Sequence, residues 1–275
     1  MTALNILEEF KGEDIYTRYA VDEKPNDSSF TMHVHEQCEI YCFVSGEAEY
    51  LVEGARYPLK AGSVLIMRPA ESHKAKILGG GKYERYAVNF SPSLTERLDS
   101  RRILMNPFFE RPLGRENFYP AAELGGEILR WFDEMCRGGE GYERQLVIST
   151  RLFLILEMIY KAYLKRGTAE YAPPTELSEQ IVTYVNAHLF ERLSIPMLAE
   201  RFFLSTSHFN RVFRRATGAA PWEYIIIKRL TAAREKIRCG EHAGTAAESC
   251  GFSDYSAFYR AYVKRFGCPP KNNMK

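Results

Sequence analysis

The chain has 275 residues, which at roughly 100 to 200 residues per domain suggests two domains. Hydrophobic residues make up 45% and charged residues 26%, the balance of a soluble globular protein and not of a disordered one. The net charge of +2 conceals an asymmetry: from residue 175 onward there are 15 Lys and Arg against 9 Asp and Glu, and before it 22 against 26. A basic C-terminal part after an acidic N-terminal part is the electrostatic footprint of a nucleic-acid binder with a separate sensing or assembly module. No stretch approaches the ~20 apolar residues of a spanning helix, so no membrane partner is expected.

The first residues, MTALNILEEFKGED, lack a basic-then-apolar leader. The six cysteines (Cys38, Cys42, Cys136, Cys239, Cys250, Cys268) show no C-x-x-C spacing, and most sit in apolar company. Both features predict a cytoplasmic protein with core thiols.

Residues 1 to about 90 read as β. Cys38 to Val44 is a strand closed by Ser45-Gly46, Glu47 to Val52 returns to Glu53-Gly54, and Arg56–Leu59, Ser63–Met67 and Tyr83–Phe90 follow. Short strands at regular spacing with glycine turns indicate a sandwich or barrel. His33 and His35, two apart on the strand pattern, are expected to share a face. With Glu39 and His73 they supply three imidazoles and a carboxylate, a donor set suited to a divalent transition metal.

After an irregular section from Thr95 to Tyr119, the pattern predicts two antiparallel helices. Ala121 to Cys136 places Leu124, Ile128, Trp131, Phe132 and Met135 along one side, and Tyr142 to Lys165 places Leu152, Leu156, Ile159 and Tyr163 at helical spacing. The pair covers the β domain or buries a stripe against a second subunit. Residues 168–175, with Pro173-Pro174, read as a linker. The expected organisation is thus a barrel over 1–120, a helical pair and candidate dimerisation element over 121–167, the linker, and a helical domain over 176–275.

The last hundred residues contain one pattern twice. Phe209, Arg211, Phe213, Gly218 and Pro221 are answered 49 positions later by Phe258, Arg260, Tyr262, Gly267 and Pro270. A repeat is a duplicated structural unit, and here each unit reads as short helix, turn and arginine-bearing helix. That is the layout of a helix-turn-helix, whose second helix enters the major groove. A first helix runs from Glu176 to Leu189. Ser194 caps a short helix with Pro196 in its first turn and Met197, Leu198 and Ala199 as packing face. Thr206 to Ala216 buries Phe209, Val212, Phe213 and Ala216, and presents Ser207, Asn210, Arg211 and Arg214 as a second stripe. Arg and Asn suit guanine and adenine edges, while Arg214 and Arg215, deeper along the helix, suit phosphates. In the second copy Ser253-Asp254 caps a helix with Phe258, Ala261 and Tyr262 inward and Tyr255, Ser256, Tyr259, Arg260 and Lys264 outward. Between the copies a helix from Pro221 to about Arg238, with Trp222, Ile226, Leu230, Ala233 and Ile237 on one face, forms a rigid spacer. It would hold the reading helices roughly 34 Å apart, about one DNA turn.

The block from LSIPMLAERFFLSTSHFNRVFRR to CGFSDYSAFYRAYVKRFGCPP resembles the AraC/XylS family of bacterial transcription regulators, most specifically over Gly251 to Pro270. The resemblance places Ser207, Asn210, Arg211, Tyr255, Ser256, Tyr259 and Arg260 on groove-facing positions. It implies double-stranded DNA, a small-molecule effector such as a sugar or related metabolite, a homodimer partner and RNA polymerase as partners. Ala243 and Ala246 replace larger aliphatics of the family, which suggests looser packing of the second unit, and Lys271-Asn272-Asn273 replaces its aromatic-arginine ending.

The N-terminal pattern, including AGSVLIMRPAESH, resembles the cupin motif pair, a jelly-roll barrel that holds metals or small molecules inside. That resemblance makes His33, His35, Glu39, Tyr41 and His73 effector-binding candidates, and His33, His35, Glu39 and His73 metal ligands, with no cofactor required. Two other readings exist, an enzyme that uses the same four ligands and a repair protein that shares the helical domain. A metal-dependent cupin enzyme would leave the tandem helices without purpose, and a DNA-repair protein would need an activated cysteine where Cys38 and Cys42 lie in an apolar strand. A non-enzymatic regulator is therefore expected.

Overall fold

The computed structural model describes residues 6–96, 98–139, 141–166 and 176–271. The chain divides into two compact units, one of Met1–Thr31 with Gln37–Ala172 and one of Met32–Glu36 with Pro173–Lys275. The linker expected over 168–175 lies outside the described residues.

The first unit is a two-sheet β structure with helices on one face. Its strands are β1 (Ile6–Lys11), β2 (Ile15–Asp22), β3 (Cys38–Ser45), β4 (Ala48–Val52), β5 (Ala55–Pro58), β6 (Val64–Met67), β7 (His73–Ile77), β8 (Tyr83–Phe90) and β9 (Phe118–Tyr119). They form a six-stranded sheet in the order β1-β2-β8-β3-β6-β9 and a three-stranded sheet β5-β4-β7. Side chains alternate across a strand, so each row of the large sheet serves two cores. Ile40 and Cys42 of β3, Val64 and Ile66 of β6, and Tyr86 and Val88 of β8 pack with the helices. Tyr41, Phe43, Leu65, Met67, Tyr83 and Ala87 point between the sheets, where they meet Tyr50, Val52 and Ala75 of the small sheet.

Among the described residues, α-helices follow or interleave: α1 (Asn106–Phe109), α2 (Ala121–Leu124), α3 (Ile128–Arg137) and α4 (Gly141–Arg166). The single helix expected over Ala121–Cys136 is in fact two. Gly125, at φ 81°, breaks it, and Gly126 follows before the chain turns helical again. In α4, Ile148, Leu152, Ile155, Leu156 and Ile159 are fully buried against the sheet and α3, whereas Tyr163 is only half-buried. The opposite side of α4 is also apolar and is exposed: Tyr142, Leu146 and Leu164 are 84%, 56% and 57% accessible.

One buried ion pair ties the irregular section to the barrel. Arg111 donates through both terminal nitrogens to Glu71 at 2.8 and 2.7 Å, and its Nε donates to the carbonyl of Pro107. Glu71 also accepts from the backbone N–H of Arg68 and Gly114 and from Asn117. A buried charge pair is tolerated only with its remaining hydrogen-bonding capacity satisfied, and these contacts satisfy it.

The second unit is helical: α5 (Leu177–Ala187), α6 (Ile195–Arg201), α7 (Thr206–Thr217), α8 (Pro221–Arg238), α9 (Ala243–Ser249) and α10 (Tyr255–Phe266). It has two cores. Ile181, Val185, Leu198, Phe209 and Phe213 close on Tyr224 and Ile225 at the start of α8. Ala246, Cys250, Phe258 and Tyr262 close on Leu230, Ala233 and Ile237 farther along it. Trp222 is not part of the expected buried face; it is 45% exposed, and Tyr224 and Ile225 replace it. Met197 likewise turns outward at 39%, leaving Leu198 and Ala199 as the packing side of α6. Ala246 is fully buried and Ala243 packs beside it, so the small residues lie within the second core.

Candidate DNA-reading helices and barrel site

The two arginine-bearing helices, α7 and α10, have 12 residues each and occupy positions 49 apart in the chain. Local chemistry sets both ends. Ser205 accepts from the N–H of His208 and Asp254 from those of Ser256 and Ala257, satisfying N–H groups that the first turn leaves without partners. Gly218 and Gly267 terminate the helices at φ 78° and 71°, a left-handed conformation that glycine adopts without steric cost. Phe209 and Phe213 anchor α7, and Phe258 and Tyr262 anchor α10.

The opposite faces are open. Ser207, Arg211, Arg214 and Arg215 are exposed on α7, and Tyr255, Ser256, Tyr259, Arg260 and Lys264 on α10. Asn210 is half-buried and its amide donates to the carbonyl of Thr206 at 2.7 Å, an arrangement it would have to leave to read a base. Arg211 and Arg260 are the sixth residues of their helices. At 1.5 Å per residue they stand roughly 8 Å from the N-terminus, the part of a recognition helix that reaches base edges. Arg214 and Arg215 lie about 5 Å farther along.

In the barrel, β3 carries Glu39 and Tyr41 on the face between the sheets. Glu39 pairs across to Asn89 of β8 and Tyr41 to Ala87, which is also the partner of Arg18 on β2. Asn89 donates to Glu39 Oε2 at 2.8 Å, and His73 Nε2 lies 3.5 Å from the same oxygen. His73 Nδ1 is 2.7 Å from the carbonyl of Glu71, and Tyr50 stacks on the imidazole at 6.1 Å. Burial works against a charge on His73, but its hydrogen bond to the Glu39 carboxylate and the field of that carboxylate outweigh burial and raise its pKa. Burial also raises the Tyr41 and Tyr50 phenols well above their ordinary value and Tyr83 to about 12, so all three remain hydroxyl groups at neutral pH. Tyr41 and Tyr83 share a hydrogen bond between hydroxyls.

His33 and His35 are not on a strand as the spacing suggested; they precede β3, with ring centroids 6.0 Å apart. They belong to the segment grouped with the second unit, whereas Glu39 and His73 belong to the first. Pattern reading missed Asn89, Arg18 and Tyr50. The signal was available in YERYAVNF, where Arg85 and Asn89 fall on the same alternate positions as Ala87 in a strand with no exposed residue.

The thiols offer no nucleophile in this region. Cys38 and Cys42 are fully buried and their pKa values are raised by burial, which disfavours the thiolate. Cys136 and Cys250 are buried too, while Cys239 and Cys268 are exposed. No helix among the described residues is long and apolar enough to cross a membrane.

Comparison with known proteins agrees with both halves. The family described as AraC-like ligand binding domain matches residues 16–156, and a helix-turn-helix domain family matches residues 198–275. The transcriptional activator RhaS of Escherichia fergusonii is 24% identical over 98% of this chain and 96% of its own, and that of Salmonella typhimurium is 22% identical over 92% and 90%. Among solved structures, ToxT from Vibrio cholerae with a bound unsaturated fatty acid covers 95% of both chains at 11% identity and a TM-score of 0.41. The DNA-binding domain of AdpA in complex with target DNA covers 35% of this chain and 87% of that domain at 27% identity and a TM-score of 0.33. An AraC-like ligand-binding domain followed by a duplicated helix-turn-helix makes this chain a member of the AraC/XylS family of DNA-binding transcription regulators.

Proposed function

We propose that the chain is a non-enzymatic, cytoplasmic regulator that reads duplex DNA with Ser207, Asn210 and Arg211 of α7 and Tyr255, Ser256, Tyr259 and Arg260 of α10, with Arg214, Arg215 and Lys264 on phosphates. The observation that carries this reading is the pair of equal, equally capped helices, each buried on an aromatic side and open on a polar, basic one. Footprinting and genome-wide mapping of bound DNA test it. Protection of specific sites by the wild type, lost in the Arg211→Ala, Arg260→Ala double variant, is the expected result. Equal binding by the two would end it.

The effector reading rests on polar groups gathered between the sheets. Arg18 Nε is buried without a hydrogen-bond partner, and Glu39, Asn89, Tyr41 and His73 line adjoining positions. Such donors and acceptors suit a hydroxyl-rich metabolite, a sugar or a relative of one. For binding to regulate, the molecule must favour one arrangement of the protein energetically. His33, His35, Glu39 and His73 together supply three imidazoles and a carboxylate, a donor set that suits a divalent transition metal. Such an ion would supply a Lewis-acid contact to an effector oxygen. Elemental analysis of untagged protein purified without added metal tests this; a stoichiometry near zero removes the metal.

The homodimer reading rests on α4. One side of this helix already covers the sheet, yet Leu146, Phe153 and Leu154 line an apolar groove with Leu98 and Leu104 on another. A two-fold pairing would bury the same patch on both copies. RNA polymerase is the further protein partner, in keeping with the activator names of the curated relatives.

A further inference from the structure

The two cores of the second unit meet along α8, and one side chain stands at the seam. Ile225 belongs to the first core and Leu230 to the second, and Arg229 lies between them in sequence. Arg229 is 4% exposed. Its guanidinium donates in three directions, each to a main-chain carbonyl: Nε to Leu189 at 2.7 Å, Nη2 to Glu191 at 2.6 Å and Nη1 to Gly251 at 2.8 Å. Leu189 and Glu191 belong to the segment that joins α5 to α6, in the first helix-turn-helix unit. Gly251 belongs to the turn between α9 and α10, in the second.

The turn is built to admit this contact. Gly251 has φ 84°, and a Cβ there would meet the carbonyl oxygen of Phe190 at 2.7 Å and the Arg229 Cζ at 3.0 Å. Glycine is therefore required both by conformation and by the close approach of the other unit's backbone. A buried guanidinium is costly unless its donors are satisfied, and here carbonyls from both units satisfy it together. Pulling the units apart would strip the cation of acceptors from one side.

We propose that Arg229 is a positioning residue that fixes the angle and separation of α7 and α10, and so restricts the protein to bipartite DNA sites of one spacing. A single hydrophobic helix would transmit the spacing but leave the two cores free to rock about it. The three-way contact removes that freedom. The inference rests on the DNA-reading roles given above to α7 and α10, but its geometric part does not require DNA.

Two measurements test it on the full chain. The first is selection from duplexes with a random 30-base-pair core, carried out with the wild type and with Arg229→Lys. Lysine keeps the charge but replaces the planar fork with a point ammonium that cannot reach three separated carbonyls. The wild type is expected to select two short motifs at one separation, and the variant the same motifs over several separations. The same single separation in both would overturn the proposal. If the wild type selects no motif, the DNA-reading roles fail instead. The second measurement uses spin labels at Ser207→Cys and Ser256→Cys in protein whose exposed Cys239 and Cys268 are replaced by serine. A narrow distance distribution in otherwise wild-type protein, broadened by Arg229→Lys, is expected. A broad distribution with Arg229 intact overturns the proposal even if the lysine variant fails to fold, as does an equally narrow one in a folded variant.

Discussion

Replacing Arg211 with alanine isolates one reading contact. The side chain lies on the open face of α7, and among the described residues its guanidinium forms no hydrogen bond or ion pair, so its removal should change stability by less than about 0.5 kcal/mol. Its position about 8 Å from the helix N-terminus puts it within reach of a base edge. A bidentate arginine–guanine contact contributes roughly 1 to 3 kcal/mol of discrimination, which at 1.4 kcal/mol per decade is about 5- to 150-fold in affinity. Arg260 holds the same sixth position of α10, so Arg260→Ala should cost a similar amount at a different base pair, and the two losses should add because the contacts are far apart. Fluorescence anisotropy titration would measure this against the preferred duplex and against every single-base substitution of it. Arg211→Ala should bind the preferred duplex less well and become indifferent at one base pair. A loss of equal size on every duplex, with the salt dependence reduced by about one counterion, would show a phosphate contact and refute the base-reading role.

Two further predictions concern the first unit. Burial alone would raise the Glu71 pKa, but the charge and hydrogen bonds of Arg111 overcome it and lower it from 4.5 to about 2. A carboxylate depressed in the folded state stabilises fully above its unfolded pKa, and that stability is lost as pH falls from about 4.5 toward 2; the loss is on the order of 3 kcal/mol. Glu71→Gln should therefore be less stable at pH 7, by about 3 to 5 kcal/mol because Arg111 is left buried without its partner, and its denaturant midpoint should fall less steeply with acid. Parallel acid profiles of variant and wild type would contradict the assignment. On α4, Leu146→Glu places a charge in the exposed apolar groove. It should shift sedimentation of the protein from dimer to monomer without lowering its melting temperature, and a monomeric wild type would remove that interface.

The parts legible in the sequence are those whose ends and faces are set locally. Ser205, Asp254, Gly218 and Gly267 delimit α7 and α10 by their own hydrogen-bonding and conformational chemistry, and Phe209, Phe213, Phe258 and Tyr262 mark the buried side within one helix. Tyr83–Phe90 is similarly plain, its aromatic and branched residues alternating between two cores. By contrast β7 reads HKAKI: His73 and Ala75 are its only buried residues, and Lys74 and Lys76 give it no apolar run. It is a strand because β4 supplies the ladder from Ala48 to Val52, which is a non-local fact. His33 and His35 stand on irregular backbone before β3, so the two-residue strand periodicity assumed for them does not apply.

The misreading of α8 has a different cause, and it bears on how the charge of this domain should be counted. A helix with one neighbour shows one apolar stripe. This helix has two cores along its length, with Tyr224 and Ile225 in one and Leu230, Ala233 and Ile237 in the other. Its buried surface therefore wraps around the axis and takes in Lys228 and Arg229, at 3% and 4% exposure. Counted from sequence, both add to the basic balance that points toward DNA. In the fold neither side chain faces solvent, and Arg229 is occupied by three carbonyls of the protein itself. Arg211, Arg214, Arg215, Arg260 and Lys264 on α7 and α10 are exposed and available to phosphate, as are Arg192, Arg201 and Arg238 outside those helices. The buried arginine thus adds nothing to the field at the surface; held by carbonyls of both cores, it helps to determine where the exposed cations of α7 and α10 point.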